Sequence, residues 1–306
     1  MSVGRVGDAH AHKVNIRDIA AKKSKIENAK AQSMSGLKYS KAHQLGGQVV
    51  LVSSIQREIK MLEGFVKQNE SAVSQRLEGE EFAIRNILDE AIRFKESLVL
   101  FNDGNTTKDP TSFLVGFKQH LTTVQREGNA KVGDSYILGG TITNLPPFDV
   151  SKVPDGLDPN SGVSLDYYSG NDIPVWIAID NDDNLACDLM GKHPAFEKFI
   201  RALKIANDSS IKSGDARVIK AQELVDEAIV ELAGLVSQAG AKEAMLDTLI
   251  EDQEDRGAYL LAAYLKIVEA TPEESATTFM TEHTALATAY AMISRMNEMS
   301  LANYLK

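Results

Sequence analysis

The chain is short of most of what chemistry at a site requires. It has one cysteine, Cys187, in 306 residues, which excludes an internal disulfide and any multi-cysteine metal cluster. A lone thiol fits a reducing compartment, and equally a chain exported by a route that needs it unbridged. No apolar run approaches the roughly 18 residues of a membrane span. The first twenty residues carry His10, His12, Lys13, Arg17 and Asp18 but no apolar core, so no Sec-type leader is expected. His10 and His12 form an H-x-H pair in an N-terminus expected to be mobile, too loose for selected metal binding. Glu282-His283 does not extend to the H-E-x-x-H spacing that sets two zinc ligands one helical turn apart. Gly139-Gly140 is followed by no Lys-Ser/Thr, and Asp180-Asn181-Asp182-Asp183 lacks the spacing and closing Glu of a calcium loop. There is no G-x-S-x-G, and Cys187 has no His near it in sequence. No catalytic, cofactor-binding or metal-binding residue set is expected, and the chain reads as a non-enzyme.

What is present describes an ordinary globular composition, 43% hydrophobic and 25% charged, with room for two or three domains. The net charge of -10 is unevenly spread. Residues 1–46 hold nine Lys/Arg against three Asp/Glu, residues 132–208 five against twelve, and residues 209–306 eight against sixteen. A basic N-terminal segment invites a nucleic-acid reading, but it lacks the aromatic residues that stack on bases. A helix facing acidic helices of its own chain or of a neighbour is the plainer expectation. Neither nucleic acid nor membrane is expected as a partner.

The strongest pattern is a heptad stripe near both ends. Val52, Ile55, Ile59, Leu62, Val66, Asn69 and Val73 alternate steps of three and four, as do Val225, Ile229, Leu232 and Val236. Such a stripe buries only against another helix. The spacing predicts long helices over 48–102 and 216–270, with shorter helices outward of each. In the first, Leu77 follows Val73 by four residues instead of three, and Ile84, Ile87, Phe94, Leu98 and Phe101 resume in the new phase. That insertion is a stutter, which locally unwinds a supercoil. The second stripe is broken at Gln222, Glu243, Gln253 and Gly257.

Between the arms the character changes. An amphipathic helix is expected from about Val14 to Met34, ending near Ser35-Gly36-Leu37, and another from Pro110 to Lys131. Tyr136 to Ile142 reads as a short strand with a Gly-Gly bend, and residues 149–172 as loop. Ile173–Ile179 and Leu185–Met190 read as a hairpin around the acidic turn. Pro194 opens a helix, and Thr271-Pro272 separates the long C-terminal arm from a last helix carrying Phe279, Leu286, Tyr290 and Ile293.

These pieces resemble the bacterial flagellin superfamily. Ser35-Gly36-Leu37-Lys38 is similar to the S-G-[LK] stretch that ends its first helix, and Ala239-Gly240-Ala241 to its L-G-A element, with Ala239 in place of Leu. Ser300-Leu301-Ala302-Asn303-Tyr304-Leu305 resembles its S-L-x-x-[YF]-L ending. The middle resembles the hook-filament junction branch. Gly133 through Thr141, with Pro146-Pro147-Phe148, looks like that branch's G-x-Y-[IL]-F-x-G-T…P-F run, with Leu138 in place of Phe. Tyr167-Tyr168-Ser169-Gly170-Asn171 resembles its Y-x-G-[DN] element. Arg5-Val6-Gly7 is closer to its R-[IV]-S-T start than to the flagellin I-N-T-N, Gly7 departing.

The resemblance implies a mainly α fold: long antiparallel N- and C-terminal coiled-coil helices forming a rod, with a small β-containing central insert. It implies three parts: a terminal segment of 1–46 with 272–306, disordered in the monomer, a helical rod of 47–148 with 193–271 including a 136–142 strand, and a β insert of 149–192. It implies a structural role, joining hook to filament after type III export as an unfolded chain, hence an extracellular place in the flagellum. The implied partners are copies of itself in a ring, a neighbouring hook-associated protein, flagellin and an export chaperone. Leu286, Tyr290, Ile293, Leu301, Tyr304 and Leu305 are expected to form the subunit-assembly surface. Tyr136, Gly139, Gly140, Thr141, Pro147 and Phe148 carry the family motif. A short filament flagellin and a cytoplasmic coiled-coil adaptor stand as alternatives, the latter leaving the central hairpin unexplained.

Overall fold

A computed structural model of the protein describes the backbone of residues 3–38, 46–103 and 110–304, and the side chains of 13–38, 46–103 and 111–295. Helices α1 (Val3–Ser35), α2 (Val49–Gln68), α3 (Ser74–Asn102) and α4 (Pro110–Gly128) come first. Strands β1 (Lys131–Val132), β2 (Ser135–Tyr136), β3 (Val175–Ala178) and β4 (Asn184–Cys187) form two antiparallel pairs, β1 with β2 and β3 with β4. Helices α5 (Pro194–Ala206), α6 (Ala216–Val268) and α7 (Pro272–Tyr304) complete the order. The fold is mainly α, as expected. The chain forms two compact units, Met1–Met61 with Arg256–Lys306, and Leu62–Asp255.

The second unit holds the main core. On α3, Ile84, Ile87, Ala91, Phe94, Leu98 and Phe101 alternate steps of three and four and are buried. They pack with Phe117, Leu121 and Val124 of α4, Phe196, Phe199 and Leu203 of α5, and Val218, Val225 and Leu232 of α6. Phe94 meets Phe117 edge to face with centroids 5.4 Å apart. Each such ring contributes about 1.5–3 kcal/mol through burial. A second cluster seats the β3–β4 hairpin: Ile179, Leu185 and Cys187 lie against Val73, Leu77 and Leu246.

Three local findings refine the sequence reading. The heptad slip after Val73 coincides with a π-helical turn, Asn69–Val73, between α2 and α3. A wider turn re-phases a stripe without ending the helix, so one continuous helical arm carries two registers. The strand expected over Tyr136–Ile142 is a correction. Only Ser135–Tyr136 is strand, and it pairs back to Lys131–Val132 around Gly133 (φ 60°). Beyond Tyr136 the backbone groups find separate partners: Gly191 N donates to Leu138 O at 2.9 Å and Asn171 N to Gly139 O at 3.2 Å. A segment whose neighbours are loops has no ladder to join. The first helix is also longer than read, beginning at Val3.

In the first unit, α1 stops at Gly36, whose φ of 70° only glycine adopts without strain. Residues 36–38 then pair with the joint between α6 and α7. Leu37 bridges Glu269, Lys38 N donates to Val268 O at 2.6 Å, and Ala270 N donates to Gly36 O at 2.8 Å. Pro272 and the acidic pair Glu273 and Glu274 open α7, where the helix dipole favours negative charge.

Candidate assembly surface and central motif

Helices α1 and α7 pack antiparallel, as their pairings require: Gly36 with Ala270, Lys25 with Glu282, Lys23 with Tyr290. The facing positions on α1 are Ile19, Lys22, Ile26, Ala29 and Gln32, and on α7 Ser275, Phe279, Glu282, Leu286, Ala289 and Ile293. Of these, only Ala29 and Ser275 are fully buried. Glu282 takes Lys25 at 2.8 Å and Lys22 at 3.7 Å, and the Lys25 hydrogen bond holds its carboxyl below the usual range. Pairs this exposed hold register more than they add stability. The rest of the first unit is tied by Gln56 to the Tyr264 hydroxyl at 2.9 Å and by an Arg256–Glu58 ion pair.

The seam is therefore thin, and much apolar surface stays outside it. Val14, Ile16, Met280, Tyr290 and Met292 are exposed, and Met280, Thr284, Thr288 and Met292 line a shallow groove along α7. Leu286 and Ile293 are half-buried on the α1 side. Tyr290 is 45% exposed, its ring under Lys23 Nζ at 6.0 Å. Leu301 and Tyr304 belong to α7, but their side chains lie outside the described ones, and Leu305 lies outside the described residues altogether.

The family-motif residues come together in the second unit, and they form a structural knot. Phe148 is buried against Tyr167 and Phe196, with centroids 5.5 and 5.6 Å away. Its ring fills the space where a side chain on Gly128 or Gly191 would stand, so both must be glycine. Asn129 holds the Phe148 backbone from both sides: its Oδ1 accepts from N, and its Nδ2 donates to O, each at 2.8 Å. Gly140 has φ 67° and lies against Asn171. Asn171 Oδ1 accepts from Thr141 N at 3.0 Å, and its Nδ2 donates to Thr141 Oγ1 at 2.5 Å. Gly139 lies against Ile142 and beside Pro147, which is buried. Tyr136 is half-buried under Lys131 Nζ, 4.3 Å from the ring centre.

The two phenols of this knot work as hydrogen-bond donors. Tyr167 donates to Gly191 O at 2.9 Å, and Tyr168 to Leu138 O and Asn171 O at 3.1 and 3.0 Å. Burial pushes both up, Tyr168 to about 12, which keeps them protonated and in the donor role. Nothing here has the geometry of a nucleophile beside a base. Among the described residues no group of three His, Cys, Asp or Glu could hold a metal ion, and no helix is long and apolar enough to cross a membrane. A groove of about 480 Å³ beside the start of α5 carries Lys192, Lys198 and Arg201, but each is already paired: with Asp172, with Glu227 and Glu231, and with Glu197.

Sequence reasoning missed the groups that close these arrangements. Asn129, Gly128 and Gly191 carry no signal of their own in one sequence. Asn69 and Gln253 were visible as polar positions in apolar stripes, and they meet at the hairpin.

Two solved structures share this fold. A solved structure described as a flagellar hook-associated protein from Vibrio parahaemolyticus matches with TM-score 0.59, at 11% identity over 72% of this chain and 96% of its own. The crystal structure of FlgL from Bacillus cereus matches with TM-score 0.55, at 15% identity over 70% of this chain and 98% of its own. At such identities the likeness is one of fold. No family model and no curated protein matches the sequence.

Proposed function

We propose that this chain is a structural, non-enzymatic subunit of the bacterial flagellum that joins hook to filament. In this reading it leaves the cell through the flagellar type III channel as an unfolded chain, held beforehand by an export chaperone. Outside, copies form a ring between a neighbouring hook-associated protein and flagellin. The observation that carries the reading is the α1–α7 pair: two helices of 33 residues each, with few fully buried residues between them among the described side chains and apolar side chains left facing out. A lone helix pair of this kind is marginal in water and gains by packing against further copies. The single free cysteine is compatible with passage of an unbridged chain. The fold likeness favours this class over a cytoplasmic adaptor, and the small central part accounts for the hairpin that an adaptor would not need.

Deletion of the gene should leave hooks without filaments, with unassembled flagellin in the medium. Immunogold labelling of wild-type cells should then mark a single band at the distal end of the hook. Label along the whole filament would replace this reading with a short filament flagellin. Normal filaments after deletion would remove it.

A further inference from the structure

Within the unit Leu62–Asp255, Glu80 stands on α3 with no exposed surface. Arg76, one turn earlier on the same helix, brings its Nε to 3.1 Å from Glu80 Oε1. The approach is close but poorly aimed. Neither carboxyl oxygen of Glu80 receives a hydrogen bond, and Arg76 donates instead to the carbonyl of Ile137 at 3.2 Å. From the other elements packed here, Lys242 of α6 and Asp188 beyond β4 face the same carboxyl. They are ion-paired with each other, and Lys242 also donates to Ala186 O at 2.9 Å. Cys187 of β4 adjoins the group, and its thiol is pushed up first by burial and then by the Glu80 charge. Lys242 is thus committed elsewhere, and Arg76 is divided between Glu80 and the Ile137 carbonyl. A second carboxyl lies on the same α3–α6 seam: Glu243 of α6 faces Glu81, Glu78 and Asp247, with Arg85 paired to Glu81.

We propose that Glu80 is a proton-operated latch for the β3–β4 hairpin: neutral, it lets the hairpin and α6 close on α3, and ionised, it loosens that contact. The hairpin is the natural responder. Its buried face (Ile179, Leu185 and Cys187) shares one small cluster with Val73, Leu77 and Leu246, all within reach of the same seam. Burial without well-aimed donors disfavours a carboxylate, and taking up a proton relieves it. Burial outweighs the attraction of Arg76 and Lys242 and pushes the Glu80 carboxyl up to about 7. In the unfolded chain a glutamate titrates near ~4.3. The folded form therefore holds the proton more tightly. The stability tied to that proton is full below the unfolded value and is lost as pH rises through about 7. Glu243, also pushed up by burial, adds in the same direction.

The test is urea unfolding of the full chain at constant ionic strength from about pH 5 to 8.5, a window that starts just above the unfolded value and brackets the folded one of about 7. The reporter is Trp176, the chain's single tryptophan, which lies in β3. The unfolding equilibrium constant should rise on the order of a hundredfold across the window. Glu80→Gln, neutral throughout, should flatten the profile and be the more stable protein at the alkaline end. A full slope in a folded Glu80→Gln protein would overturn the latch. So would a slope that disappears in Glu243→Gln while persisting in Glu80→Gln. If Glu80→Gln fails to fold, carboxyl-carbon NMR of the wild-type protein decides. A Glu80 midpoint near 7 supports the proposal, and one in the ordinary glutamate range ends it.

Discussion

Asn69 and Gln253 converge on one backbone oxygen. Asn69 Nδ2 and Gln253 Nε2 each donate to the carbonyl of Ile179 at 2.9 Å, and Asn69 Nδ2 also reaches Gln253 Oε1 at 3.2 Å. Both side chains are buried, so this is the polar centre at which the two helical arms and the hairpin are set against one another inside the second unit. A polar residue in an apolar stripe specifies register at a cost in stability. Next to it Gln68 donates to Ala178 O, and Lys242 to Ala186 O, so helix side chains cover carbonyls on both outer edges of the hairpin.

That junction yields the first prediction. Asn69→Leu or Gln253→Leu alone leaves a buried polar partner short of a hydrogen bond and should destabilise by about 1–3 kcal/mol. The double variant should depart from the sum, because each single variant leaves the Ile179 carbonyl one donor and the double variant leaves it neither. Urea titrations of the four proteins measure the coupling. Strict additivity would mean that the contact does not act as a unit.

The terminal pair should exchange fast in the dilute monomer. With only Ala29 and Ser275 fully buried along the facing positions of α1 and α7, opening of residues 1–46 and 272–306 costs little. Hydrogen exchange followed by mass spectrometry should show weak protection there and strong protection in the α3–α5 core. Strong protection across Leu286 to Leu305 at low concentration would show that the pair is self-sufficient.

Charge on the α7 seam should separate assembly from folding. Leu286→Asp and Ile293→Asp place a carboxylate on a half-buried face, costing the monomer about 1 kcal/mol but several kcal/mol wherever that face is sealed between copies. Circular dichroism of the monomer should change little while filament formation and motility are lost. Normal filaments from these variants would remove α7 from the assembly surface.

Two glycines of positive φ should respond differently to alanine. Gly133→Ala meets open space, so only backbone strain of about 1 kcal/mol is expected. Gly140→Ala adds a steric conflict with Asn171, which holds Thr141, and should cost about 2–4 kcal/mol. Thermal melts compare them. Equal effects would mean that the Asn171 contact yields freely.

Much of the architecture was legible in the sequence because it depends on local periodicity. The stripe from Val52 to Val73 and that from Val225 to Val236 could only belong to helices seeking helices. The four-residue step to Leu77 marked the place of the π turn. Pro194 and Thr271-Pro272 set helix starts because proline is tolerated only in a first turn. The hairpin at β3 and β4 followed from its alternation around an acidic turn.

What the sequence alone determined, then, is helix identity, phase and the positions of the breaks, all of which follow from neighbours within one or two turns. What only the tertiary structure decided is where unpaired groups go. Tyr136–Ile142 looked like a strand until its backbone was seen to bond singly to Gly191, Asn171 and Thr143, none of which forms a ladder with it. Gly36 to Lys38 looked like a helix end, and is also the half of a bridge whose other half lies more than 200 residues later, at Val268 to Ala270. Nothing in the local sequence sets Glu80 apart from the other carboxylates of α3, yet the fold leaves it no exposed surface and no well-aimed donor. Hydrogen bonding and desolvation are set by whatever arrives from distant parts of the chain, and a local pattern carries no record of that arrival.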